Sequence, residues 1–363
     1  MGVRTQNVNI DLRNPWICNP YYDLSFFSLI WWIPFCIGCF FGIAPYVGLG
    51  LFFILYHVLI RLPHFVATFP VTYLRQENWN HYRQHWIRYG LNPLIIMALY
   101  FHFGTSPNDG WISRVLATIT IIWGLQHIAF QNYGILQIYH SRNGTFRPSL
   151  KRIETWIFAL LVVPAAILHD VVRLWWPNLI SHSALNLILL VQYTIFAALG
   201  VAYARELRGI KNWQPAVLFL ISSVATMTYW PIYDRVPAIS MSLFFYMFNG
   251  QHCLSYVGLT NYMLAGRRDR RNATAIGLTV SSTFIYVGLL VLASGMAVAF
   301  YLWQNPRYLQ NEFVSADRRY RLFGSFEGFF VAHYYLESIA WKFKDVHARN
   351  NMFSLVQPRF KIF

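Results

Sequence analysis

Ten apolar runs, too long for the core helices of a soluble domain, constrain this chain more than any other feature. They span 22–42, 43–70, 91–104, 111–139, 153–169, 183–203, 213–232, 236–264, 274–303 and 324–341. A helix needs about 20 residues to cross the hydrocarbon layer of a bilayer. Runs 91–104 and 153–169 are shorter, and read as tilted into the bundle or partly interfacial. Composition agrees: 12% of the 363 residues are charged and 56% hydrophobic, where a soluble domain carries about 25% charged. A disordered tail, a nucleic-acid-binding module and a disulfide-stapled secreted domain are excluded. The expected fold is all-α, a polytopic integral membrane protein with about ten transmembrane helices in one bundle (22–341). Residues 1–21 form an N-terminal segment and 342–363 a tail, both expected to be cytoplasmic. Residues 1–20 lack the apolar stretch and small-residue cleavage site of a leader.

The charges order the loops. Lys+Arg 29 against Asp+Glu 14 leaves a net charge of +15. With ten spans, 21 of the basic residues fall on one side and 7 on the other, with Arg61 inside a run. That asymmetry follows the positive-inside rule and places both termini in the cytoplasm. The cluster Arg267, Arg268, Arg270 and Arg271 then reads as a topology determinant. Cys18, Cys36, Cys39 and Cys253 lie in or beside apolar runs. No second CxxC completes a zinc site, so they read as packing residues.

Histidines are the chemistry-bearing feature. His57, His64, His127, His252 and His333 lie inside the runs, well away from their ends. Ionisable side chains in a bilayer face the bundle interior and mark function. Counted from the basic border at about 1.5 Å per residue, they form two layers. His57, His127 and His252 are deeper; His64 and His333 are shallower. His57 and His64 share a helix face, as do His333 and Glu337, and Glu327 lies at the deeper level. A carboxylate one turn from an imidazole, facing other imidazoles, is a way helical bundles hold iron. Gln126, Gln131, Asn132, Asn249 and Gln251 are candidates for hydrogen bonds to ring nitrogens. Gln126-His127 and Gln251-His252 also form a weak internal echo. His81 and His85 form an HxxxH on the cytoplasmic side, read first as a surface helix and second as metal ligands; His140 reads as cytoplasmic. Six Trp, at 31, 32, 175, 176, 230 and 303, are placed as interfacial belts. The remaining aromatic excess suits a chamber for a long lipophilic molecule.

Leu62-Pro63-His64 inside a membrane run, with His127, His252 and His333, resembles the Brp/Blh family of bacterial membrane β-carotene dioxygenases. That resemblance implies one iron held by four helix-borne imidazoles. The family's LPH continues with Gly and an acidic residue, where this chain has Phe65 and Val66.

The expected function is therefore an integral-membrane non-haem iron oxygenase or oxidoreductase. Its substrate would be lipophilic, such as a lipid, polyene or carotenoid, with O₂ as co-substrate. Bound membrane lipids and an electron-donor protein are expected partners, and nucleic acid is not. His57, His64, His127, His252, His333 and Glu337 are the expected ligands. Six ligands are more than one iron with open positions needs, which favours two ions. Two alternatives remain open. One is a haem-binding or quinone-reactive electron-transfer subunit. The other is a transporter with an intramembrane His/Glu proton path.

Overall fold

The computed structural model describes residues 15–29, 64, 76–103, 111–145, 147–161, 180–227, 250–260 and 328–339. Among these the secondary structure is helical, with no strand. The runs 43–70 and 274–303 lie outside the described residues, apart from His64, as do the six belt tryptophans.

The chain enters through a capped turn. Asn19 Oδ1 accepts the Tyr22 N–H at 2.8 Å, and Pro20 opens α1 (Pro20–Asp23). A π-helical stretch, Leu24–Leu29, continues it. Asp23 is fully buried; its carboxylate accepts the N–H groups of Ile17 (2.6 Å) and Cys18 (3.0 Å) and the Tyr139 hydroxyl (2.8 Å). Burial and the nearby Asp23 carboxylate push the Cys18 thiol up to about 11, so it stays protonated at neutral pH. Cys253 is buried, in keeping with a packing role; Cys36 and Cys39 lie outside the described residues.

Next come α2 (Gln76–Gln84), a π-helical turn at Ile87–Leu91 and α3 (Asn92–Phe103). Then follow α4 (Trp111–Asn143), α5 (Pro148–Leu161), α6 (His182–Glu206) and α7 (Gln214–Met227). Residues 250–260 (α8) and 328–339 (α9) are also helical. The central helix is α4, which packs on α3, α5 and α7, while α6 packs on α5. Its end is a Schellman turn: Gly144 takes a positive φ of 61° and the Thr145 N–H bonds the His140 carbonyl at 3.0 Å.

Among the described residues two helices, Trp111–Asn143 and Asn186–Glu206, are long and apolar enough to cross a membrane. The second is apolar yet exposed, with Leu187 and Leu190 more than 60% accessible. In water such a face would be costly; against acyl chains it is not.

Two glycines set how closely the last two helices approach their neighbours. A Cβ on Gly258 would lie 2.7 Å from Phe26 Cβ, and one on Gly328 would lie 2.8 Å from Tyr100 Cβ and 3.1 Å from Met97 Cα. The first contact presses α8 onto the N-terminal segment, the second presses α9 onto α3. At Gly124 a Cβ would meet only the ring end of Tyr334, at 3.3 Å. Gly258→Ala is therefore expected to destabilise by about 1–3 kcal/mol through overpacking, and Gly124→Ala by less. Thermal melts of both variants in detergent check the order.

Candidate metal centre

Polar side chains from α4, α8, α9 and the residue at 64 meet inside the bundle. His64 and His333 are fully buried, His252 is 2% exposed and Glu337 3%. One turn separates His333 from Glu337 on α9, so both face the same way. Nε2 of His64 lies 3.0 Å from Nε2 of His333. Glu337 divides its carboxylate: Oε2 is 3.2 Å from His127 Nε2 and Oε1 is 3.7 Å from His333 Nε2. The His127 contact is close enough for an ion pair but off the angle of a hydrogen bond. His252 closes the group, its ring centroid 4.4 Å from that of His64 and 4.9 Å from that of His127. Tyr256 stands edge-on to His64 at 4.6 Å, and Tyr334 lies against His127 at 4.8 Å.

One donor atom from each of His64, His127, His333 and Glu337 can be chosen so that all lie within 4.8 Å of one another. With metal–nitrogen bonds of about 2.1 Å, donors on one ion sit about 3 Å apart when adjacent and about 4.2 Å when opposite. The observed 3.0, 3.2 and 3.7 Å fit that range. This His₃Glu group could hold a metal ion. Both nitrogens of His252 are buried without a hydrogen-bond partner, although buried polar groups are nearly always paired. Unlike the other rings, His252 brings two unsatisfied nitrogens to a cluster of donors.

The four described histidines of this group, expected in two layers, share one. His64 and His333 were placed nearer the basic border than His127 and His252, yet the four rings are mutual neighbours. Counting residues from the nearest arginine places side chains at one depth only where the helices are upright and their borders level. The donors of His64, His127, His333 and Glu337 lie around a single point. His57, Asn249 and Glu327 lie outside the described residues.

The amides differ most from expectation. Gln126 is exposed, because the 100° step of the helix turns it away when His127 faces inward. Asn132 and Gln251 bond each other rather than an imidazole, with Asn132 Nδ2 donating to Gln251 Oε1 at 3.3 Å. Thr226 donates to the same Oε1 at 2.9 Å. Gln251 Nε2 donates to Ser223 Oγ (3.0 Å) and to the Phe27 carbonyl (3.3 Å). That knot ties α4, α7, α8 and the N-terminal segment together beside His252. Gln131 is half-buried, its Oε1 without a hydrogen bond, so it holds no ring nitrogen. His81 and His85 contact each other at 4.7 Å, and His81 Nε2 lies 3.5 Å from the Tyr89 hydroxyl. They form a separate pair, with His85 exposed.

A second polar cluster was missed. His140, expected at the cytoplasmic surface, is 2% exposed and its Nε2 bonds Glu154 Oε1 at 2.5 Å. Glu154 is fully buried and also accepts Tyr203 Oη (3.1 Å) and Gln137 Nε2 (2.8 Å). His140 Nδ1 bonds Thr145 Oγ1 at 2.8 Å. One signal was available: a lone Glu at the start of an apolar run, within reach of a histidine at the end of the preceding one.

No family model matches this chain, and no curated protein or solved structure matches it either.

The two clusters differ in a measurable way. Replacing His140 by Leu leaves Glu154 with Tyr203 and Gln137 alone, and removing one partner of a buried polar group costs about 1–3 kcal/mol. His252→Leu removes two unsatisfied nitrogens, so the metal-free protein should melt at the same temperature or higher, while Co(II) binding weakens at least tenfold. Melts and Co(II) titrations of the two variants check this.

Proposed function

We propose that this chain is a multi-pass membrane protein, a bundle of about ten helices with both termini cytoplasmic. It holds one non-haem iron ion and uses it as an oxygenase or oxidoreductase on a lipophilic substrate. The observation that carries this reading is the convergence of His64, His127, His333 and Glu337 inside the bundle, with His252 beside them. A mixed imidazole and carboxylate donor set suits iron among the common metals. His64, His127, His333 and Glu337 would hold the ion, with His252 beside them. The bound metal would supply the redox chemistry. The protein's part is to fix the four rings and the carboxylate, and to keep bulk water from a site whose side chains are 0–6% exposed. The resemblance to the Brp/Blh dioxygenases points to a polyene such as a carotenoid, and Glu337 is what this site would add to four imidazoles. A macrocycle needs a flat slot between its axial ligands, whereas His64 and His333 nitrogens stand 3.0 Å apart. That separation supports iron without haem.

A proton path is the second reading. It is favoured by two imidazole–carboxylate contacts on α4, His127–Glu337 and His140–Glu154. They are 13 residues apart in the sequence, about 20 Å of helical rise.

Full-length protein purified from iron-supplied cells should contain one iron per chain and show no Soret band. Removing the iron with a chelator should abolish polyene-dependent O₂ consumption, and Fe(II) should restore it. His127→Ala and His252→Ala should each lose iron and at least a hundredfold of that activity. Metal-free protein that drives His127-dependent proton uptake into vesicles would replace the oxygenase reading with the proton path.

A further inference from the structure

We infer that the loops joining α4 to α5 and α6 to α7 form one cationic platform for the phosphodiester headgroups of anionic membrane lipids. Arg142, Arg147, Lys151 and Arg152 belong to the first loop and its flanks; Arg205, Arg208 and Lys211 belong to the second. All are exposed except Arg142, which is half-buried. The same stretches hold two acidic residues, Glu154 and Glu206. Glu154 is buried in its own cluster, and Glu206 takes the Ser149 hydroxyl on Oε2 at 2.7 Å.

Hydrogen bonds hold the two loops side by side. Arg147 Nη1 donates to the Glu206 carbonyl at 3.1 Å, Asn143 Nδ2 donates to the Asn212 carbonyl at 2.9 Å, and Ser149 adds the bond above. A positive-inside bias requires only that basic residues lie on one side of the membrane. It does not require seven of them to be fastened together against their own repulsion. Lys151 and Arg152 add to that repulsion, since they sit near the positive end of α5, whose first turn carries no acid. An anion on this surface relieves all of these repulsions together.

The surroundings identify which anion. Trp156, 58% exposed, lies one turn deeper along α5, and Trp213, 37% exposed, lies just before α7. Beyond them runs the exposed apolar face of α6, with Val201 and Ile195 within about 15 Å of Arg205. Cations, then indoles, then apolar side chains is the order of a bilayer leaflet from headgroup to acyl chain. A soluble polyanion would use the first layer and leave the other two unmatched. The platform depends on the membrane-embedded reading but not on the metal.

Phosphatidylglycerol titrated into the full-length protein in neutral detergent tests this, with bound lipids counted by native mass spectrometry and a melt run in parallel. Phosphatidylglycerol should be retained and should raise the melting temperature; phosphatidylcholine and free glycerophosphate should do neither. A basic residue beside an anionic surface is worth roughly fivefold in affinity. Arg147→Gln with Lys151→Gln and Arg152→Gln should therefore weaken retention at least tenfold. Should that variant not fold, Arg208→Gln with Lys211→Gln carries the same expectation. Arg268→Gln with Arg270→Gln and Arg271→Gln removes the same charge elsewhere and should change retention less than twofold. Equal losses at both places, or equal binding of glycerophosphate, would overturn the platform. Carbonate-resistant membrane association without a phosphatidylglycerol preference refutes the platform alone. Release of the chain by carbonate refutes the membrane reading itself.

Discussion

A carboxylate taken out of water must meet donors, and α4 provides hydrogen bonds to two of the three buried ones described and an imidazole contact to the third. Asp23 takes the Tyr139 hydroxyl, Glu154 takes His140 and Gln137, and Glu337 lies against His127. These contacts reach the N-terminal segment, α5 and α9 respectively. Leaving any one of the three acids without its partners would cost several kcal/mol in a low-dielectric interior. The neighbours of α4 are thus held in place by polar contacts as well as by apolar packing.

The candidate centre inherits its geometry from that arrangement. His127 is placed by α4, His333 and Glu337 by α9, and His252 by α8. α9 approaches α3 through Gly328, and α8 approaches the N-terminal segment through Gly258. Neither contact touches the histidines, yet each sets how far a ligand-bearing helix stands from α4. The knot of Asn132, Gln251, Thr226 and Ser223 fixes the rotation of α8 one residue away from His252. A site assembled from four separate segments needs such rigid supports, because a shift of about 1 Å is enough to spoil metal geometry.

Much of this was legible in the sequence, and the parts that were not share a cause. Histidines within apolar runs announce a polar interior, because lipid offers them no partner; four of the five chosen are described, and they meet. Glu337 was legible from its spacing to His333. Depth was not legible, since tilt does not appear in a residue count. Amide partners were not legible either: adjacency placed Gln126 beside His127, but the helical step points it outward, and Gln251 bonds a side-chain amide, two hydroxyls and a backbone carbonyl from three other segments. Asp23 and Glu154 escaped notice because they sit at the edges of apolar runs, where an acid reads as a boundary marker. Only the packing of another segment over that edge buries them.

The contrast between His140 and His252 separates structure from function within one bundle. Both are 2% exposed. His140 has each ring nitrogen within 2.8 Å of a partner, a carboxylate on one side and a hydroxyl on the other. It is a finished element, and its cluster binds three helices without needing anything more. His252 has neither nitrogen bonded, although Asn132, Thr226 and Gln251 bond one another close by. A bundle selected for stability alone would place an apolar residue there. Keeping an imidazole there, against rings from two other segments, is the expected signature of a site whose remaining partner comes from outside the chain. The donor types gathered beside it, three imidazoles and a carboxylate, could hold a metal ion.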